Sequence, residues 1–104
     1  MEGLWHAHFA AGPVRGGGMA VLRHGEILGG DPSHTYTGTY QWNGPELCAN
    51  VCVSPYSGGR EPADIARPVT FLLQGAVSGD SANASGYAAD NPELTVAVEL
   101  RRAE

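Results

Sequence analysis

With 104 residues, the chain is long enough for one domain with a single core and too short for two. An apolar content of 42% is typical of a globular protein and argues against disorder. The formal net charge of −5, with only six Lys plus Arg, argues against a nucleic-acid surface, because phosphate binding needs clustered cations.

The N-terminus and the two cysteines indicate the cellular compartment of the protein. No basic segment precedes an apolar run at the N-terminus, and no apolar run approaches the length that spans a membrane. Cys48 and Cys52 lie four residues apart in a predicted strand, and the rise of a strand separates them by about 13 Å, which is too far for a disulfide. These features favour the cytoplasm, with both thiols reduced.

Alternating apolar and polar residues, separated by turns rich in Gly and Pro, predict eight short strands. In the first, at 3–10, Trp5 and Phe9 occupy the face predicted to point inward, and His6 and His8 share the other face. The later strands are predicted at 19–23, 26–28, 35–42, 46–53, 68–77, 82–87 and 94–100.

The turns are marked by residues that tolerate unusual backbone angles. His24-Gly25 suits a primed hairpin turn, because Gly takes positive φ freely and His tolerates it better than most residues. A loop is predicted at 12–16 and a second break at 29–33. The longest connection, at 54–67, has the length typical of functional or mobile loops.

The fourth predicted strand carries aromatic residues that are more typical of a barrel core than of a ligand platform, and that are also candidates for lining a cavity. Tyr36, Gly38, Tyr40 and Trp42 share one of its faces. A Gly between two tyrosines indicates close approach of another backbone or a bend that closes a barrel. The candidate cavity lining consists of these four residues with Trp5 and Phe9.

Eight hairpin-linked strands favour an all-β, antiparallel, up-and-down barrel formed by residues 1–104, closed or partly open. A β-sandwich built from the same strands is the alternative.

Local motifs for catalysis or metal binding are weak. His6 and His8 have a spacing that can place two imidazoles on one metal, but no third ligand follows from the spacing. The glycines at 16–18 lack the Lys-Ser/Thr sequel of a phosphate-binding loop. No nucleophile, base and orienting group occur together. We therefore predict no enzyme activity, no cofactor and no metal.

Several residues resemble a known family. They are Gly3 and Trp5, Phe9, the glycines before Met19, Val21, the segment at 24–31, and Tyr36, Gly38 and Tyr40. In this pattern the chain resembles the GrlR family of negative regulators of type III secretion, best over its first 40 residues. The resemblance implies an eight-stranded, lipocalin-like barrel with an apolar interior, a homodimer, and a function in binding rather than catalysis.

The resemblance also suggests a partner. The best-known member of the family sequesters a transcriptional activator through an acidic four-residue surface motif, near the region that corresponds to residues 43–46 here. This chain has Asn43-Gly44-Pro45-Glu46 at that place, so only Glu46 carries over.

We therefore expect a cytoplasmic regulator that binds a protein, makes no direct nucleic-acid or membrane contact, and meets the basic surface of a transcriptional regulator. The predicted contacts are Glu46, Glu61 and Asp64, in the 43–46 turn and the long loop, because loops on β scaffolds carry recognition. The alternative is a carrier of a small apolar ligand that uses the barrel interior.

Overall fold

Eight antiparallel strands form the described part of the chain. A computed structural model describes residues 1–12, 14–55 and 67–103. The strands are β1 (Gly3–Ala11), β2 (Val14–Arg23), β3 (Glu26–Gly30), β4 (His34–Asn43), β5 (Glu46–Pro55), β6 (Val69–Ser78), β7 (Ser81–Ala88) and β8 (Asn91–Arg102). Each pairs with the strands before and after it, and β8 pairs with β1. The predicted up-and-down barrel is confirmed in its closed form, and the sandwich is excluded.

The interior is filled by the side chains that alternation turns inward. Trp5 is fully buried on β1, as predicted for its face of the strand. The buried side chains form two clusters. One contains Ala11, Tyr36, Val53, Phe71, Leu73, Ala88 and Val96, and the other contains Trp5, Ala20, Leu22 and Ile27. Ala49 and Val51 of β5 pack against both clusters, so they lie at the junction of the two halves of the core.

Gly38 marks a close approach between β4 and β5. It pairs with Val51, and a Cβ at this position would overlap the carbonyl oxygen of Asn50. Gly86 on β7 has the same relation to the carbonyl oxygen of Leu72 on β6. A small barrel has to coil its strands sharply, and glycine permits the neighbouring backbone to approach.

Seven of the eight strands are longer than predicted, and the largest differences are in β2 and β8. β2 begins at Val14 rather than at residue 19, so Gly16 belongs to a strand and not to a loop. The ring of Phe9 covers Gly16 from β1, with Cζ 2.5 Å from where a Cβ would stand. An aromatic side chain that covers a cross-strand glycine stabilises a strand which propensity alone disfavours. β8 extends to Arg102, whose backbone N–H donates to Asp80 O at 2.8 Å.

The turns divide the barrel into two ends. The N-terminal end carries residues 1–2 and the turns after β2, β4 and β6, and the opposite end carries the turns after β1, β3 and β7. At the N-terminal end, His24 and Gly25 have φ values of 54° and 82°, so the predicted primed turn is confirmed.

Within the described ranges, the structure has no helix long and apolar enough to cross a membrane.

Candidate binding surfaces

The barrel interior holds a cavity of about 100 Å³ between the two clusters, lined by apolar surface. Phe9, Tyr36 and Tyr40 line it, and the rings of Phe9 and Tyr36 meet edge to face with centroids 6.2 Å apart. Trp5 is buried but does not line the cavity, and neither does Gly38. The volume is small beside the roughly 300–1,000 Å³ of sites that enclose drug-sized ligands.

Trp42 lies outside the predicted cavity. It is the last but one residue of β4, and its side chain is 47% exposed. Its cross-strand partner Leu47 is only 4% exposed. By the alternation of side chains along β4, Trp42 is on the inward face. It lies beside the turn of the hairpin, however, where the barrel wall no longer encloses it. Its proximity to the Asn43-Gly44-Pro45 turn is the sequence signal for this exposure.

Of the three predicted partner-binding residues, the structure describes only Glu46. Glu46 is exposed at the start of β5 and pairs with Asn43 across the hairpin tip. Glu61 and Asp64 lie outside the described residues.

A buried carboxylate, which the sequence analysis missed, lies at the opposite end of the barrel. The side chain of Asp31 is 8% exposed, and its Oδ1 accepts hydrogen bonds from the backbone N–H groups of Ser33 (2.8 Å) and His34 (2.7 Å). Its Oδ2 accepts a hydrogen bond from the Tyr36 hydroxyl. The imidazole Nδ1 of His34 lies 3.7 Å from Oδ1. Burial alone raises the pKa of Asp31, but these bonds and the imidazole outweigh it and hold the pKa below its ordinary value.

The N-terminal end has its own polar cluster, centred on Glu2. Glu2 Oε2 accepts hydrogen bonds from His24 N at 2.7 Å and from the Tyr40 hydroxyl at 3.2 Å. The His24 N–H contributes most to holding the pKa of Glu2 below its ordinary value. Burial, followed by the Glu2 carboxylate, raises the pKa of Tyr40.

Arg102 completes this end from the last strand. Its guanidinium carbon lies 4.3 Å from the centre of the Trp5 ring, and Nη1 donates to Glu2 O at 2.8 Å. The indole N–H of Trp5 in turn donates to Met1 O at 3.1 Å. These contacts join the two termini of the chain, so no local pattern predicts them. Tyr36 and Asp31 are hydrogen-bonded at one end of the barrel, and Tyr40 and Glu2 are hydrogen-bonded at the other.

The cysteines are free and partly exposed on the outer face of β5. Among the described residues, no three His, Cys, Asp or Glu side chains form a group that could hold a metal ion.

The fold and surfaces define a small, closed, antiparallel β-barrel with a largely filled interior. No protein-family model matches the sequence, and no curated protein matches it at a significant level. The barrel is therefore the part of the family expectation that the structure shows, and membership of the GrlR family gains no support from these comparisons.

Proposed function

We propose that the protein is a non-catalytic regulator that acts by binding a protein partner. The partner is bound through the outer surface of the barrel, at the tip of the β4–β5 hairpin. The observation that carries the proposal is the 47% exposure of Trp42 at this tip. A transcriptional regulator with a basic surface is the partner that we propose.

The chemistry of the tip supports recognition of a protein. Trp is enriched among the residues that contribute most to protein interfaces, because it buries a large surface when it enters a pocket. Glu46 lies at the same tip, exposed and paired with Asn43. Together with the net charge of −5, it favours a partner with basic groups around an apolar pocket.

The rigidity of the tip supports the same function. Trp42 and Glu46 belong to strands that pair along their whole length, from His34 with Pro55 to Asn43 with Glu46. Recognition groups on such a scaffold lose little conformational freedom on binding, and this favours affinity.

The experiment compares capture of partners by matched variants. Affinity-tagged parent protein is cross-linked in the cells that produce it, and the captured proteins are identified by mass spectrometry and rebound in purified form. Trp42→Ala should abolish capture, and the triple change Glu46→Gln, Glu61→Gln and Asp64→Asn should weaken it and reduce its salt sensitivity. Thr37→Ala, on the outer face of β4 away from the tip, is the control. Equal capture by all variants would contradict the proposal.

A second candidate function is carriage of a small apolar molecule, which the apolar cavity between the two clusters favours. Native mass spectrometry of the freshly purified protein tests it. A carrier should retain a bound molecule that Ala49→Leu, which extends a side chain into the cavity, removes. The small volume makes this the weaker of the two candidates.

A further inference from the structure

A shallow groove of about 320 Å³ crosses the outer face of the barrel over β4, β5, β6 and β7. Its outward side chains form two neighbouring rows, each with one residue per strand. The first row is Thr39, Asn50, Leu72 and Tyr87, and the second is Gln41, Cys48, Gln74 and Ser85. Four strands at their usual spacing make each row about 14 Å long.

None of these eight side chains carries a charge. Among the residues that the structure describes, the nearest charged groups by strand register are Glu26, which pairs with Thr39 beyond the end of the first row, and Glu46, which begins β5. Both are acidic and lie outside the rows. An anionic ligand would therefore lose its hydration without gaining a counter-charge, and a cationic ligand would meet carboxylates only outside the rows.

The groove offers hydrogen bonds and one aromatic ring. Gln41, Asn50 and Gln74 supply amides that both donate and accept, and Thr39 and Ser85 supply hydroxyls that do the same. The Tyr87 ring is 44% exposed at the end of its row, beside the partly buried Leu72. Such a lining suits a ligand that is neutral, rich in hydroxyl groups and flat on at least one apolar face.

We propose that this groove binds a neutral oligosaccharide, with the C–H face of one sugar ring on Tyr87 and with sugar hydroxyls bonded to the amide and hydroxyl side chains. This site is independent of the proposed protein-binding tip. An extended peptide fits less well, because β4 to β7 already pair on both sides and leave no edge to which a strand can add. A second copy of the chain also fits less well, since docking would strip water from five amide or hydroxyl side chains.

The two cysteines provide a direct measurement. Cys48 lies in the groove, while Cys52 lies on the same face of β5 outside it. Cys52→Ser leaves only the Cys48 thiol, and Cys48→Ser leaves only the Cys52 thiol. The rate at which each thiol reacts with a chromogenic disulfide is measured with and without sugar. At about ten times its Kd, a ligand that covers the thiol slows the reaction by about tenfold, because only the unbound protein reacts.

The probes are the neutral tetrasaccharides of glucose, mannose, galactose and N-acetylglucosamine, with the tetrasaccharide of galacturonic acid as the charged comparison. We expect at least one neutral probe to protect Cys48 and leave Cys52 unaffected, and the charged probe to protect neither. Tyr87→Ala in the Cys48-only protein should remove the protection, and Thr37→Ala should preserve it. Because Tyr87 is exposed, its truncation should leave the fold intact, which circular dichroism verifies.

Three results would overturn the proposal. The first is no protection of Cys48 by any neutral probe at millimolar concentration. The second is equal protection of both cysteines, which would indicate a general effect of the sugar. The third is slowing of the Cys48 reaction as protein concentration rises without sugar, which would identify a second copy of the chain as the occupant of the groove.

Discussion

Gly38 lies on the inner face of β4, where the backbone of β5 leaves no room for a side chain. We predict that Gly38→Val destabilises the fold by about 3 kcal/mol, at the upper end of the cost of overpacking, because the carbonyl oxygen of Asn50 belongs to the backbone and cannot rotate away. Urea denaturation measures the change. Thr39→Val, at an exposed position of the same strand, is the control and should change stability by less than about 0.5 kcal/mol. Equal stability of the Gly38 variant and the parent would mean that β4 and β5 separate without cost.

Asp31 predicts a dependence of stability on pH. Its pKa in the folded state is lowered from 3.8, so the ionised carboxylate stabilises the fold above that pH, and this stability is lost as the pH falls through the folded-state pKa. Tyr36→Phe removes the hydroxyl that donates to Asp31. We expect a loss of about 1.5–3 kcal/mol at neutral pH, as for a hydrogen bond to a charged group.

The stability lost through Tyr36→Phe should be smaller once Asp31 is protonated. Urea titrations of parent and Tyr36→Phe at neutral pH and at successively lower pH values make the comparison. Tyr87→Phe removes an exposed hydroxyl and is the matched control. If the Tyr36 variant lost the same stability at every pH, the hydroxyl would act through contacts other than the Asp31 carboxylate.

At the scale of the element, β8 closes the barrel against β1, and Arg102 adds side-chain contacts to this closure. Its guanidinium stacks on Trp5 and bonds Glu2 O, whereas its ion pair with Asp80 is exposed and contributes little. We predict that Arg102→Ala costs about 2 kcal/mol, from the loss of the cation–π contact and the hydrogen bond.

Two variants isolate the geometry of that contact. Arg102→Lys keeps the charge but loses the planar stacking, so it should recover only part of the stability. Arg101→Ala removes the neighbouring, 66% exposed arginine that pairs with Glu99, and should cost less than about 0.5 kcal/mol. Thermal and urea denaturation rank the stabilities of the three variants. Equal losses for positions 101 and 102 would refute a specific role for the stacked arginine.

At the scale of the whole molecule, closure removes the open strand edges that favour pairing between copies, but an apolar outer patch remains. Val21 and Leu28 are partners across β2 and β3, and they are 41% and 59% exposed. We propose that they hold a homodimer, since association would remove this apolar surface from water.

Sedimentation velocity at micromolar concentration tests the dimer. The parent should sediment as a dimer and Leu28→Arg as a monomer, because the interface would have to bury an unpaired charge. Asn83→Arg, which adds the same charge on the outer face of β7, should remain dimeric. A monomeric parent at high micromolar concentration would exclude the dimer.

Local chemistry allowed much of the architecture to be predicted from the sequence. Period-two alternation identified the inward face of β1 with Trp5 and Phe9, because side-chain direction in a strand follows from backbone geometry alone. His24-Gly25 specified a turn for the same reason, since φ preferences belong to single residues. The close approach at Gly38 was also predictable, because a glycine within a strand, between two inward tyrosines, indicates that a neighbouring backbone occupies the place of a side chain.

The tertiary structure alone decided how far each strand is enclosed and which distant groups meet. Alternation predicts the face of β4 on which Trp42 lies, but it does not predict where the wall of the barrel ends. The exposure of Trp42 therefore depended on how far the barrel extends at the β4–β5 hairpin. β2 reached Val14 because Phe9 covers Gly16, a compensation from another strand that local propensity does not include. Arg102 and Glu2 are 100 positions apart, and only closure of the barrel brings them together. Face and turn are properties of a few consecutive residues, whereas enclosure and long-range pairing depend on the whole chain at once.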